Sequence, residues 1–212
     1  MQKQYLSVHF GCGLEASKGW LNFDASPSLR LCKIPGLQRL LHLPAWPADV
    51  RYGDVVRGLP VPDRSCRRLF CHNMLEHLSL EDAKKALANC HRLLSPDGTF
   101  RLFVPDLRCH VETYLSLAES APPRAAHRFI ELLDMGLASR PRGAKGFLQS
   151  WLGNSRHLWM WDEAAMTAAV REAGFGRVRR VRYLDSGDPM FDQLEQSHPE
   201  WIDYALGVEA RH

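Results

Sequence analysis

Residues 68–104 admit few folds. Arg68-Leu-Phe-Cys71 is a short run of β-forming residues. Ser79, with Asp82 three positions on, makes a capping box, and Leu80, Ala83, Leu87, Cys90 and Leu94 then recur at steps of three and four, the mark of a helix with one apolar face. Ser95-Pro-Asp-Gly98 stops that helix with a strong turn, and Thr99-Phe-Arg-Leu-Phe-Val104 follows as a β-rich run. Strand, helix, turn and strand in this order predict a parallel crossover, because parallel neighbours need a connection of a dozen or more residues.

The rest of the chain extends the pattern. Leu6–Phe10 ends at Gly11-Cys-Gly13, a second run at Trp20–Phe23 ends at Asp24, and Val50-Arg-Tyr52 runs into Gly53-Asp54. Asp162 caps a helix whose Met166, Ala169, Val170 and Ala173 share a face, with Gly174 as its left-handed stop. Val178–Leu184 and Tyr204–Val208 read as a closing antiparallel pair. Between Asp106 and Trp159 the pattern is helical but broken by Pro122-Pro123, Gly136, Pro141, Gly143 and Gly146, so an insertion is expected at about 106–160. At 212 residues the chain suits one α/β domain, residues 1–212: a Rossmann-like, mostly parallel sheet with helices on both faces and a helical insertion after the fifth strand.

Composition narrows the partners. There is no apolar run of about 18 residues and no positively charged start leading into a short apolar stretch, so we expect a cytoplasmic protein with no membrane span. A net charge of +3 gives no nucleic-acid footprint, and the clusters at 140–145 and 177–182 read as solvated faces. The six cysteines lack paired C-x₂-C spacing. Three precede a histidine (Cys71-His72, Cys90-His91, Cys109-His110), but neighbouring side chains on a helix or strand diverge, so no metal is expected.

Ligands of an open parallel sheet bind beyond the carboxyl ends of its strands, where two crossovers part. Gly11 and Gly13, lacking Cβ atoms, let backbone N–H groups approach a ligand there. Asp24 could accept both hydroxyls of a ribose, Asp54 the amino group of an adenine, and His72-Asn73 faces the same crevice.

These stretches resemble the class I S-adenosylmethionine (SAM)-dependent methyltransferases, specifically the group called methyltransferase type 11. The similarity runs through Val8-His-Phe-Gly-Cys-Gly13, Gly19-Trp-Leu-Asn-Phe-Asp24, Gly53-Asp54, Leu59-Pro-Val-Pro-Asp-Arg-Ser65, Met74-Leu-Glu-His-Leu78 and Leu93-Leu-Ser-Pro-Asp-Gly98, on to Val104-Pro-Asp106. The tail is similar too, with His157 before Trp161-Asp162 and then Glu172-Ala-Gly-Phe175. The resemblance implies SAM as cofactor, with Gly11 and Gly13 at its methionine part, Asp24 at the ribose, Asp54 at the adenine and the His72 backbone near the sulfonium. Cys12 and Val55 fall in the same cofactor-binding stretches. Relatives usually carry an acid where this chain has His9, and often Asp where it has Arg67; only ten residues separate Gly13 from Asp24, so the usual first helix is short or absent.

The sulfonium makes the methyl group electrophilic, so the protein has mainly to place the acceptor, exclude water and sometimes remove a proton. His72 and His157 are the candidate catalytic bases. A small-molecule or saccharide acceptor is expected, methylated on O or N, with residues 106–161 as its lid and Arg140, Arg142, Lys145, Arg156, Trp151, Trp159 and Trp161 as its lining. The alternative is a non-catalytic SAM-binding protein of the same fold. A nicotinamide dehydrogenase would need a third glycine shortly after Gly13, and Leu14-Glu15-Ala16 supplies none.

Overall fold

The computed structural model describes residues 5–34, 36–41, 43–140, 142–143, 156–197, 199 and 204–212. Seven strands form one sheet: β1 (Leu6–Phe10), β2 (Leu21–Asp24), β3 (Val50–Tyr52), β4 (Cys66–His72), β5 (Leu94–Pro105), β6 (Arg177–Val181) and β7 (Ala205–Arg211). Their order is β3-β2-β1-β4-β5-β7-β6, parallel from β3 to β5, with β7 antiparallel to both its neighbours. The chain works outward from β1 to β3, then returns to place β4 on the other side of β1. That reversal opens a crevice beyond the carboxyl ends of β1 and β4.

The crossover forms as expected, with one difference in where its second strand begins. Helix α3 (Leu80–Leu93) starts at Ser79, whose hydroxyl accepts the Asp82 N–H at 3.2 Å, while the Asp82 carboxylate pairs with Lys85 at 2.9 Å. Strand β5 begins at Leu94, not Thr99: Leu94 pairs with Cys66 and Thr99 with Arg68, leaving Ser95–Gly98 as a bulge. A Cβ at Gly98 would lie 2.7 Å from the Cys66 carbonyl, so this tight fold-back requires glycine.

Helices cover both faces. On one, Ala83, Ala86, Leu87 and Cys90 of α3 and Met166, Ala169 and Val170 of α6 (Glu163–Glu172) pack on Val8, Phe10, Leu69, Phe100 and Leu102. Asp162 caps α6 by accepting the Ala165 N–H at 2.8 Å, and Gly174 beyond its end has φ +108°. On the other face, Trp20, Phe70, Phe103 and Val181 meet Phe191 and Leu194 of α7 (Pro189–Glu195). Between β2 and β3 lie α1 (Pro27–Leu31) and α2 (Leu37–Leu40). The seven residues between Gly13 and β2, 14–20, form turns and no helix, held by Asn22, whose side chain accepts from the Ser17 N–H and donates to the Ser17 carbonyl, each at 3.1 Å.

Strand β6 stops at Val181, where Arg182 N–H turns aside to the Asp185 carboxylate at 2.9 Å, and β7 runs on to Arg211. In the middle of the sheet Arg101 is fully buried. Its guanidinium donates to Glu195 at 2.8 and 3.2 Å, Asp185 at 3.0 Å, Glu209 at 3.2 Å and the Arg182 carbonyl at 3.0 Å, tying β5 to α7, β7 and the turn after β6. After β5 come α4 (Leu107–Ser120) and α5 (Pro122–Leu132), broken where Pro122-Pro123 predicts. Pro141, Lys145, Gly146 and Trp151 lie outside the described residues.

Candidate active site

The glycine turn after β1 needs its glycines. Gly11 and Gly13 have φ of +64° and +56°, and a Cβ at Gly11 would collide with the Met74 side chain. Gly13 N–H donates to Asp24 Oδ2 at 2.9 Å, and Ser26 N–H donates to Oδ1 at 2.7 Å. Both Asp24 oxygens are thus oriented by the backbone and keep lone pairs for further donors. At the next strand end, Val56 N–H donates to Asp54 Oδ1 at 2.9 Å and Arg57 lies 3.4 Å from Oδ2. Val55 is buried in the core beneath this turn, its carbonyl accepting from Asn89 of α3 at 2.9 Å. These residues line a cavity of about 380 Å³ with Gly53, Asn73, Met74 and His77. Glycines at close approaches, a two-oxygen acceptor and a second carboxylate at the far end suit an adenosine-bearing ligand.

A second cavity, of about 710 Å³, shares Gly11, Gly13, Asn73 and His77 with the first. Its wall adds Glu15, His72, His110, Asp134, His157 and Tyr204. The structure therefore brings His72 and His157 into one cavity, from sequence positions 85 residues apart. Cys12 contributes only backbone to the crevice. Its side chain is buried with Leu29 and Val50, and burial, reinforced by the Asp24 charge, pushes the thiol up to about 12. His9 lies inside the sheet, 5.4 Å from the Phe70 ring and 5.8 Å from His72, so it does not occupy the crevice where an acid would stand.

Of the expected aromatic lining, Trp161 is core, Trp159 faces solvent and Trp151 lies outside the described residues; among the described residues no tryptophan lines either cavity. Asn73 and His77 line both cavities, and of the two only His77 has no place in the strand-end pattern. Asn73 turns the chain out of β4 with φ +44°, a conformation Asn tolerates better than most residues, and its N–H is held by the Phe103 carbonyl at 2.9 Å. Glu76 and His77 sit on a single 3₁₀ turn, Leu75–His77. Glu76 is fully buried, neither carboxylate oxygen has a hydrogen bond, and burial pushes its carboxyl up to about 8. His157 Nε2 lies 4.0 Å from Glu76 Oε1, and the His157 ring meets that of His77 edge-on at 5.0 Å. Burial, then the neighbouring His77, pushes His157 below the usual imidazole range, and burial does the same to His110. Neutral imidazoles are able to accept protons.

Residues 9–102 match the family model "Methyltransferase domain". No curated protein matches the chain. Among solved structures, a SAM-dependent methyltransferase from Thermotoga maritima is 14% identical with a TM-score of 0.50, covering 97% of this chain and 81% of its own. One from Mesorhizobium loti is 17% identical at 0.48, covering 100% and 94%. A structure of PigF with SAH is 14% identical at 0.49, and this chain, covered over 98%, spans only 50% of its length. Among the described residues no helix is long and apolar enough to cross a membrane. The family match runs from His9 in β1 to Leu102 in β5 and takes in both carboxylate-bearing strand ends, so over this stretch the chain is similar to a methyltransferase domain.

Proposed function

We propose that the enzyme methylates a small polar acceptor, a sugar or an anionic metabolite, on oxygen or nitrogen. The observation that carries this reading is the pair of abutting cavities. One has the glycines and carboxylates an adenosine needs, and the other, at about 710 Å³, is of the size small-molecule sites have and carries polar groups on its wall. In this reading Asp24 takes the ribose hydroxyls, Asp54 and Val55 the adenine, and Gly11, Gly13 and the Cys12 backbone the methionine part. Glu15, on the cavity wall beside Gly13, supplies the negative charge for the amino group that His9 does not. Bound SAM supplies an electrophilic methyl group. His72, at the junction of the glycine turn and the larger cavity, takes the acceptor's proton, with His157 as the second base.

The same reading makes residues 1–212 one catalytic domain whose segment at about 106–160 covers the acceptor. Leu132, Asp134 and His157 from that segment already line the larger cavity. Cysteines outside any disulfide at Cys12, Cys32, Cys66, Cys71 and Cys90 fit the reducing cytoplasm. The test is release of SAH from SAM with a panel of sugars and small anionic metabolites, and mass spectrometry of whatever acceptor co-purifies. Turnover on a compound that fits the cavity supports the proposal. SAM binding with turnover on none of them, and no co-purified acceptor, favours a non-catalytic SAM-binding protein.

A further inference from the structure

The buried Glu76 carboxylate has no evident partner. Taking an ionised carboxylate out of water costs several kcal/mol unless a cation or hydrogen-bond donors compensate it. Among the described residues no lysine or arginine pairs with it, and both its oxygens are without hydrogen bonds. What surrounds it instead are two imidazoles. One ligand atom each from Glu76, His77 and His157 lie within 4.8 Å of one another.

The cluster is also built from outside. Leu158 and Trp159 N–H both donate to the Glu76 carbonyl, at 2.7 and 3.1 Å, clamping the strand of chain that carries His157 onto the 3₁₀ turn. His77 Nδ1 lies 3.1 Å from the Arg156 carbonyl. A carbonyl only accepts, so Nδ1 carries the proton and Nε2 keeps its lone pair. Metal-binding imidazoles are oriented in this way, the far nitrogen donating to a backbone carbonyl.

We propose that Glu76, His77 and His157 hold one divalent transition-metal ion, of the zinc or manganese kind, in the wall of the acceptor cavity. Two imidazole nitrogens and one carboxylate are a familiar set for such ions, and three protein ligands leave at least one coordination position open. Around a tetrahedral ion, donors at bonds of about 2.0–2.2 Å stand roughly 3.3 Å apart. The 4.0 Å between Glu76 and His157 therefore closes by a few tenths of an ångström on each side, and the widest separation in the cluster, up to 4.8 Å, by up to about 0.7 Å on each side.

The ion deepens the proposed function and rests on it for its role: the open position takes the acceptor's oxygen. The bound hydroxyl gives its proton to His72, its oxygen bonds to the methyl carbon, and the carbon–sulfur bond breaks with its electron pair left on sulfur. His157 is then a metal ligand and His72 alone the base.

The test is titration of the chelator-treated full chain with Co²⁺, followed by its visible absorption, beside a separate SAM titration. Expected is one Co²⁺ per chain, affinity at least tenfold weaker in Glu76→Gln and in His157→Ala, and affinity unchanged in the exposed His127→Ala. X-ray absorption at the cobalt edge of the wild-type protein should count two imidazole nitrogens, a readout independent of how the variants fold. No Co²⁺ binding, or binding that both variants keep in full, overturns the site. If SAM binds and Co²⁺ does not, only the metal proposal falls; if Co²⁺ binds as expected and SAM does not, the methyltransferase reading falls and the site stands.

Discussion

Gly13 N–H donates to Asp24 Oδ2 at 2.9 Å, so the turn that ends β1 and the carboxylate that ends β2 form one unit. Asp24→Ala removes the proposed ribose acceptor and also leaves Gly13 N–H and Ser26 N–H without their partner. We expect SAM affinity to fall by about 1.5–3 kcal/mol, the range for a hydrogen bond to a charged group, and unfolding free energy to fall by about 1–3 kcal/mol. Asp54→Ala should cost less affinity, because an adenine amino group is neutral. Calorimetry and urea unfolding of both variants check this; stability lost with affinity intact would make Asp24 purely structural.

Arg101→Met should be among the most destabilising single changes. It leaves the fully buried Glu195 without its cation, while Glu209 keeps Arg179 and Arg211, and breaking a buried ion pair from one side costs about 3–5 kcal/mol. Urea unfolding measures it. A loss under about 1 kcal/mol would mean that Arg101 is not the hub its five hydrogen bonds indicate.

Cys12 should be inert to alkylation although it sits in the glycine turn. With its thiol pushed up to about 12, only roughly one molecule in ten thousand carries the thiolate at pH 8, and the fraction rises tenfold per pH unit above that. Cys32 and Cys109 are partly exposed and should react with iodoacetamide while Cys12 does not, as peptide mass spectrometry would show. Rapid labelling of Cys12 in folded protein would contradict the inward orientation of its side chain.

His72→Ala should lower turnover at least tenfold while leaving SAM affinity within about twofold, since general-base catalysis typically contributes 10²–10⁴-fold. Full activity in the variant would remove His72 from the chemistry.

The strand ends were readable because each is punctuated by residues with a local physical reason: glycines at positive φ, an acid directly after an apolar run, Ser79 and Asp162 as caps. What stayed hidden depends on partners far away in sequence. Arg101 looks solvent-facing within Thr99–Val104, yet its carboxylates lie 84, 94 and 108 residues further on. Helix α7 is too short for periodicity to reveal, and its place on the sheet is set by Phe191 meeting Trp20 and Phe70. Glu76 and His77 were visible only as part of a family block. Neighbours on a regular helix or strand diverge, but the 3₁₀ turn lets both approach His157, a juxtaposition no spacing rule contains.

The most direct test of the account is titration calorimetry of the wild-type chain with SAM and with SAH. Each should bind one per chain and each should block the other, because in the proposed site the glycine turn, Asp24 and Asp54 contact parts common to both. Folded protein that gives no heat with either ligand would contradict it.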